Sequence, residues 1–288
     1  MPTFHLIVNS RAGGGRSIVA ADRVAAALRA RGARVRTTAS VSVQAVDELV
    51  SASVRLGERC VAVGGDGTVS SIAGSVVRHG GTLGIVPAGR GNDFSRQLAI
   101  PSGAAAQATW LMADSPTAVD AIDVGGKVVV GSVYAGVDSR TSMIVNGLHR
   151  MPALLQYPYG AIRALATFPL TSYRVMVDND VFEYDGFTAV VANSGYYGKG
   201  MHIAPQADVR DALLEVVLLG AGGRARFISR LPSVYRGTHT RHPEVVTTRG
   251  RVVTIEAQGV EAYADGEPLA KLPITARVLP AVLPVLLG

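Results

Sequence analysis

The stretch Arg59-Cys60-Val61-Ala62-Val63-Gly64-Gly65-Asp66-Gly67-Thr68-Val69-Ser70-Ser71-Ile72-Ala73-Gly74-Ser75-Val76-Val77 decides the fold. Cys60–Val63 is a short, unbroken apolar run of the length of a buried strand. Beyond the glycines, Val69, Ile72, Ala73, Val76 and Val77 recur at i, i+3, i+4, i+7 and i+8, the stripe of a helix with one buried face. Strand, glycine bend and helix in that order make half of a βαβ unit. Upstream the pattern repeats. Phe4–Val8 reads as a strand and Ser17–Arg31 as a helix with Arg23, Arg29 and Arg31 outward. Val35–Thr38 is a second strand and Val43–Leu56 a second helix. Downstream, Leu83–Val86 is a fourth strand between Gly80-Gly81 and Pro87. Residues 1–123 therefore read as an α/β domain built on a parallel sheet.

From Asp123 onward the rhythm shortens to period two. Lys127–Val130 and Ser132–Ala135 flank a glycine. Tyr173–Val177, the turn Asp178-Asn179-Asp180 and Val181–Tyr184 read as strand, turn and strand. Phe187–Ala192, Leu213–Leu219 and Val252–Glu256 add further strands, and Tyr157–Phe168 alone looks helical. Residues 124–275 are expected to form an antiparallel β-sandwich domain, with 276–288 as a separate C-terminal segment.

Composition narrows the class. Apolar residues make up 48% of the 288 and charged residues 17%, which excludes a disordered chain. The mean hydropathy of +0.27 raises the question of membrane insertion. No apolar run approaches the ~18 residues of a spanning helix, and the tail Val278–Leu287 is broken by Pro280 and Pro284. Met1–Ser10 carry no basic n-region or cleavage site, so no export signal is expected. Cys60 is the single cysteine, so there is no internal disulfide, and a reducing cytoplasm fits. Twenty-five arginines and three lysines against 22 acids leave a net charge of +6. That excess permits an anionic partner. The arginines are scattered without an aromatic–basic ladder, which disfavours nucleic acid.

The chemistry concentrates in glycine loops that follow strands. Asn9-Ser10-Arg11-Ala12-Gly13-Gly14-Gly15-Arg16 lacks the Gly-Lys-Ser/Thr of a Walker loop, and Ile18 stands where a dinucleotide fingerprint needs its third glycine. It reads as an ordinary turn or as a phosphate cradle. Gly64-Gly65-Asp66-Gly67-Thr68 sets three glycines around one carboxylate. Glycine costs folding entropy, so the cluster makes sense where phosphates lie against backbone beside an acid that handles Mg²⁺ or a proton. The plain alternative is Asp66 or Thr68 as a helix N-cap. Pro87-Ala88-Gly89-Arg90-Gly91-Asn92-Asp93-Phe94 is the third loop. All three follow strands of one sheet, so they should share the edge where open α/β sheets bind ligands. In the second half, Ala264-Asp265-Gly266-Glu267 reads, taken alone, as a solvated hairpin turn.

Other residues have plainer readings. His239 and His242 lack a third ligand for zinc and suit a structural role. Lys199 suits a cleft rim, Cys60 a buried small hydrophobe. Pro152, Leu154, Leu155, Tyr157 and Tyr159 suit either an acyl-binding wall or packing between domains.

Taken in order and spacing, Asn9–Gly13, Gly64–Thr68, Gly89–Phe94 and Asp265-Gly266-Glu267 resemble the diacylglycerol kinase catalytic family, which includes bacterial lipid kinases related to sphingosine and ceramide kinases. Ala204-Pro205, Asp211–Val216 and Arg236–Pro243 extend the likeness over nearly the whole chain. The resemblance implies a Rossmann-like α/β domain, a C-terminal β-sandwich, a nucleotide cleft between them, and a final segment returning to the first domain. It implies an ATP- and Mg²⁺-dependent kinase acting on a lipid hydroxyl, of diacylglycerol or a sphingoid-type alcohol. By matching positions, ATP would meet Asn9, Ser10, Arg11, Ala12, Gly13, Ser40, Gly64, Gly65, Asp66, Gly67, Thr68, Arg90, Asn92 and Asp93. Asp265, Glu267 and Asp66 would be the catalytic acids, one of them the base. A structural Mg²⁺ would be held by Asp211, with Asp208 and Leu213 as partners through their carbonyls.

The single cysteine leads to the expectation of a cytoplasmic protein, and a lipid acceptor would make the arginine-rich exterior an aid to peripheral contact with the anionic inner face of the membrane; a homodimeric form is left open. The sequence departs from the family at Arg90, at Ser10 and at Gly14, where Arg16 or Arg163 could replace a lysine. It departs again at Ala212, which takes the place of a glycine beside the metal aspartate. The rival expectations are an NAD kinase-like enzyme for a soluble nucleotide and a non-catalytic nucleotide- or lipid-binding regulator. The core acids are present, which favours an active enzyme.

Overall fold

A computed structural model describes residues 1–9, 15–40, 42–148 and 151–288 of the chain. The chain divides into two compact units, Met1–Asp120 with Pro280–Gly288, and Ala121–Leu279.

In the first unit, strands β1 (Thr3–Asn9), β2 (Arg34–Ser40), β3 (Arg59–Gly64) and β4 (Leu83–Pro87) form a parallel sheet in the order β2-β1-β3-β4. Helices α1 (Arg16–Arg29), α2 (Val43–Arg55), α3 (Asp66–His79), α4 (Asp93–Gln97) and α5 (Ala104–Leu111) join and cover it. The apolar runs form strands because both faces are covered: Val61 and Val63 are fully buried, in one cluster with Val24 and Leu28 of α1. Helix α3 starts one residue after β3 ends, and Gly80 (φ 68°) closes it in the left-handed conformation that glycine adopts without strain. Strand β5 (Thr117–Val124) then leads into the second unit.

The second unit is antiparallel. It contains β6 (Lys127–Val129), β7 (Ser132–Gly136), β8 (Thr171–Val177), β9 (Asp180–Ala192), the small hairpin β10 (Tyr196–Tyr197) with β11 (Met201–His202), β12 (Leu214–Gly220), β13 (Val245–Gly250), β14 (Val252–Glu256), β15 (Glu261–Ala264), β16 (Glu267–Lys271) and β17 (Ile274–Val285). Its sheet runs β16-β15-β7-β9-β8-β14-β17, with β12 also on β9 and β13 on β12. The segments 181–184 and 187–192 belong to one strand. Its first part pairs with β8 and its second with β7 and β12, the change falling at Gly186. A Cβ on Gly186 would run into the Leu219 carbonyl and the Tyr184 ring. Beyond Gly186 both faces of β9 are buried: Ala189 and Val191 on one side, Val190 and Ala192 on the other.

Three helices, α6 (Val137–Asn146), α7 (Ala153–Thr167) and α8 (Arg224–Tyr235), accompany the sheet. Only α7 has a clear sequence signal. Serine and threonine dominate the inner face of α6 (Ser139, Thr141, Ser142), so it presents no apolar period; α8 does carry one, with Phe227, Ile228, Leu231, Val234 and Tyr235 on one side, and Pro232 within it obscures the helical reading. The end of β17 lies in the first unit, where Val285 pairs in parallel with Leu83 and the Ala281 N–H donates to Asp120 at 2.7 Å. Among the described residues, no helix is long and apolar enough to cross a membrane.

Candidate active site

The parallel register brings three predicted loops to one edge of the first unit. Val8 lies beside Val63, and Gly64 beside Pro87, so β1, β3 and β4 end together. Asn9 closes β1 and donates through Nδ2 to Thr68 Oγ1 at 3.2 Å, tying the first loop to the second. A Cβ on Gly64 would stand 2.5 Å from that same hydroxyl, and a Cβ on Gly65 would stand 3.1 Å from Gly89 Cα. Bare backbone at these positions is what close approach of a phosphate requires. The start of the 14-residue α3 adds a favourable dipole for an anion there.

The third loop is held by Asn92, itself at φ 55°. Its Oδ1 accepts from Gly89 N–H at 2.9 Å and its Nδ2 donates to the Gly89 carbonyl at 3.3 Å. Asp93 is buried and Arg90 exposed. Asp66 Oδ1 accepts from the Phe94 N–H at 3.3 Å. Burial pushes the Asp66 carboxyl above its ordinary value, against the backbone amides of residues 92–94 that pull it down. This is neither a solvated carboxylate nor a simple N-cap: no side-chain cap bond is made at α3. Ser40 ends β2 beside Asn9, but its hydroxyl donates to the Ser42 carbonyl at 3.2 Å and shapes the entry into α2. Ser10, Arg11, Ala12 and Gly13 lie outside the described residues.

In the second unit, Asp265-Gly266 is a two-residue turn between β15 and β16, with φ 48° and 91°. Two positive φ values are the signature of the tight hairpin turn that Asp-Gly favours. The turn is as the sequence reads it; its solvation is not. Asp265 Oδ1 accepts from the Gly131 and Ser132 amides at 3.1 and 3.0 Å, and Oδ2 from the Val130 amide at 3.2 Å. A Cβ on Gly131 would overlap the carboxylate. Glu267, two residues on, is exposed.

In the Asp208–Leu213 turn, the Asp211 carboxylate, which is the side-chain ligand expected for a divalent ion, is already engaged. Asp211 Oδ1 accepts from the Leu213 N–H at 3.0 Å, and its Oδ2 lies 3.6 Å from the Arg249 guanidinium. The same guanidinium lies 3.5 Å from Glu215 and donates to the Gln206 carbonyl. Asp208 is paired with Arg210 at 3.6 Å. The positive charge that a cation would bring is already supplied by arginine. No set of three metal-ligating side chains occurs among the described residues.

An apolar cavity of about 110 Å³ opens in the second unit, and periodicity gave no hint of it. Leu165, Met201, Val217 and Phe227 line it, together with polar groups that include Asp138, Thr188, Tyr197, Arg230 and His239. Asp138 accepts from Thr188 Oγ1 and from Tyr197 OH, both at 2.6 Å, and burial raises its carboxyl above the ordinary range. His239 donates through Nε2 to the Ile203 carbonyl at 3.0 Å, while its buried Nδ1 has no partner among the described residues; burial lowers it to about 4, so the ring is neutral. Asp138 lies on α6, whose sequence hides its helical period. Lys199 is tied to α7 by a 2.8 Å bond to Gln156. The acyl-wall segment splits: Tyr157 is buried, whereas Leu155 and Tyr159 face outward. Cys60 is fully buried, and burial pushes its thiol to about 11.

Residues 3–124 match the family model described as the diacylglycerol kinase catalytic domain, and residues 131–287 match the YegS C-terminal NAD kinase beta sandwich-like domain. A protein named diacylglycerol kinase from Mycobacterium tuberculosis is 30% identical over 97% of this chain and 93% of its own length. One of the same name from Bacillus subtilis is 23% identical over 77% of this chain and 75% of its own. A crystal structure described as a diacylglycerol kinase from Bacillus anthracis covers all of this chain and 97% of its own at TM-score 0.74 and 19% identity. Another structure from that organism superposes at TM-score 0.82 and 18% identity, covering all of this chain and 95% of its own. With both halves matched and one relative alike over nearly its whole length, this chain belongs to the diacylglycerol kinase family of lipid kinases and is a kinase enzyme.

Proposed function

We propose that the enzyme transfers the γ-phosphoryl group of ATP to the free hydroxyl of diacylglycerol. The observation that carries the nucleotide part is the meeting of Gly65 and Gly89, flanked by Asn9, Thr68 and Asn92, at the strand ends. Phosphoryl transfer depends on positioning and charge neutralisation, and backbone amides on side-chain-free loops supply both. When bound with the nucleotide, Mg²⁺ would supply further charge neutralisation.

Asp66 is the residue best suited to be the base. A general base works best with its pKa near the operating pH, and burial moves Asp66 in that direction. In the step, the acceptor O–H gives its proton to the Asp66 carboxylate and its oxygen bonds to the γ-phosphorus. The bond to the bridging oxygen breaks, and that oxygen leaves with its electron pair on ADP. Asp265, held by three amides, instead fixes the turn that bears Glu267.

The cavity beside Asp138 supports a lipid acceptor: its volume suits a short length of alkyl chain, and its polar groups suit the oxygens where that chain begins. The test is to incubate the purified enzyme with labelled ATP, Mg²⁺ and a total lipid extract and to identify the labelled lipids by mass spectrometry. Labelled phosphatidic acid that disappears with Asp66→Asn is the expected result. Bound ATP with no phosphorylated lipid would favour the regulator reading.

A further inference from the structure

The outer face of α7 is apolar where a helix on a water-facing surface should be polar. Leu155, Tyr159 and Ile162, at i, i+4 and i+7, are 55%, 41% and 42% exposed. Of the twelve large apolar side chains most exposed among the described residues, five fall between Met143 and Leu170. These five are not scattered over the molecule, as single exposed apolar residues ordinarily are. The inner face of the same helix is conventionally buried: Ala164 and Leu165 pack with Val137 of α6, and Leu165 also lines the apolar cavity. One helix thus separates an exposed apolar stripe from a cavity suited to alkyl chain.

The segment that carries the stripe has charge of one sign. Between Asp138 and Asp178 the sequence has 39 residues without an Asp or Glu, where the chain average of 22 in 288 would place about three. Arg140, Arg150, Arg163 and Arg174 fall in that interval; Arg174 is paired with Glu183 and Glu256 at 3.4 and 3.9 Å. Arg163 stands on the exposed face with its guanidinium 3.5 Å from the Tyr159 hydroxyl, and Arg140 is exposed on α6. Arg224 of α8 adds a cation at the C-terminal end of α7, donating to the carbonyls of Ala166 and Phe168 at 3.1 and 2.8 Å.

From these observations we infer that the outer face of α7 is the surface by which the enzyme seats on an anionic bilayer. Leu155, Tyr159 and Ile162 enter the boundary between headgroups and acyl chains, and Arg140 and Arg163 engage lipid phosphates. An interfacial helix of this kind combines an apolar face with basic flanks, and binding follows buried apolar area plus attraction to anionic lipid. A protein partner would need acids of its own to face the same arginines; a bilayer supplies that charge without a matched shape. The inference draws its lipid context from the function proposed above, but its test does not require catalysis.

The test compares wild type with the triple variant Leu155→Ser, Tyr159→Ser, Ile162→Ser in flotation with vesicles of phosphatidylcholine alone or containing phosphatidylglycerol. The wild type should float with the anionic vesicles only, and the variant's bound fraction should fall by roughly tenfold or more. The variant should keep the wild-type melting temperature and its rate on a short-chain, water-soluble diacylglycerol. Arg140→Gln with Arg163→Gln should weaken binding to the anionic vesicles. Vesicle binding by a wild type that phosphorylates no diacylglycerol would sustain the surface and sink the substrate assignment. Equal flotation of variant and wild type, or no flotation of either, would overturn the surface. So would a lipid-independent dimer dissolved by the same three substitutions.

Discussion

Gly65 and Gly89 meet backbone against backbone: a Cβ on Gly65 would lie 3.1 Å from Gly89 Cα, and one on Gly89 would overlap Gly65. Two loops more than twenty residues apart in sequence thus share one space, available because neither residue has a side chain. Alanine at Gly89 should force the loops apart, at a cost of about 1–3 kcal/mol, and weaken ATP binding at least about tenfold. Gly67→Ala meets nothing within 4 Å and should melt within a degree or two of wild type. Thermal melts and nucleotide titration calorimetry on the two variants check this pair of outcomes.

Asp66 should control the acidic limb of the pH–rate profile. A base must be ionised to accept a proton, so turnover should rise with pH through its pKa. That limb should lie above the ordinary aspartate range because burial raises the group. Asp66→Asn should lower kcat by about 10²–10⁴-fold and abolish the limb. A mutant that keeps the wild-type profile at a reduced rate would assign the base elsewhere.

Asp265 and Gly131 form a second pair in which glycine makes room for a carboxylate. Asp265→Asn turns one acceptor into a donor facing the amides of residues 130–132. It should cost about 1–3 kcal/mol of stability as well as activity. Gly131→Ala should reproduce both losses while leaving the carboxylate intact. Denaturant midpoints and single-turnover rates on both variants separate anchoring from proton transfer, since only anchoring predicts that they fail alike.

Arg249 should make the Asp211 turn indifferent to divalent cations. Without nucleotide, millimolar Mg²⁺ or excess chelator should leave the melting temperature of the wild type unchanged. Arg249→Met leaves Glu215, only 3% exposed, without its cation and should destabilise the fold by about 1–3 kcal/mol. Added Mg²⁺ should then recover part of the loss, in differential scanning fluorimetry with and without the metal.

Acid should destabilise the protein through His5. The ring is fully buried, bonded to Ser53 Oγ at 2.7 Å and Thr38 Oγ1 at 2.8 Å, and burial lowers its pKa from 6.5 to about 4. The unfolded chain therefore binds a proton below pH 6.5 that the folded chain refuses until about pH 4. Stability falls across that window and levels off beneath it. The loss is about 3 kcal/mol for this group. Asp66 and Asp138, raised by burial, act in the opposite sense, so the comparison is with His5→Gln. Urea midpoints of the two proteins should converge as the pH drops from 7 to 4.

How far the sequence could be read varies with the kind of signal. The α/β half was legible because each element carries its own period: Cys60–Val63 as an apolar run, Val69–Val77 as a helical stripe, glycine between them. The antiparallel half was legible as strands but not as layers. A strand such as β9 that is buried on both faces beyond Gly186 shows no alternation there, and α6, with Ser139, Thr141 and Ser142 on its inner face, shows no apolar stripe.

The site divides on the same line. The sequence by itself determined which loops carry glycine and acid, and that the first three end strands of one parallel sheet, because strand order and handed crossovers leave one edge for those ends. The tertiary structure alone decided what each acid faces. Asp66 is buried among amides, Asp265 is gripped by residues 130–132, Asp211 is answered by Arg249, and Asp138 borders a cavity. Electrostatic environment is set by atoms brought together from distant positions, and no local periodicity encodes it.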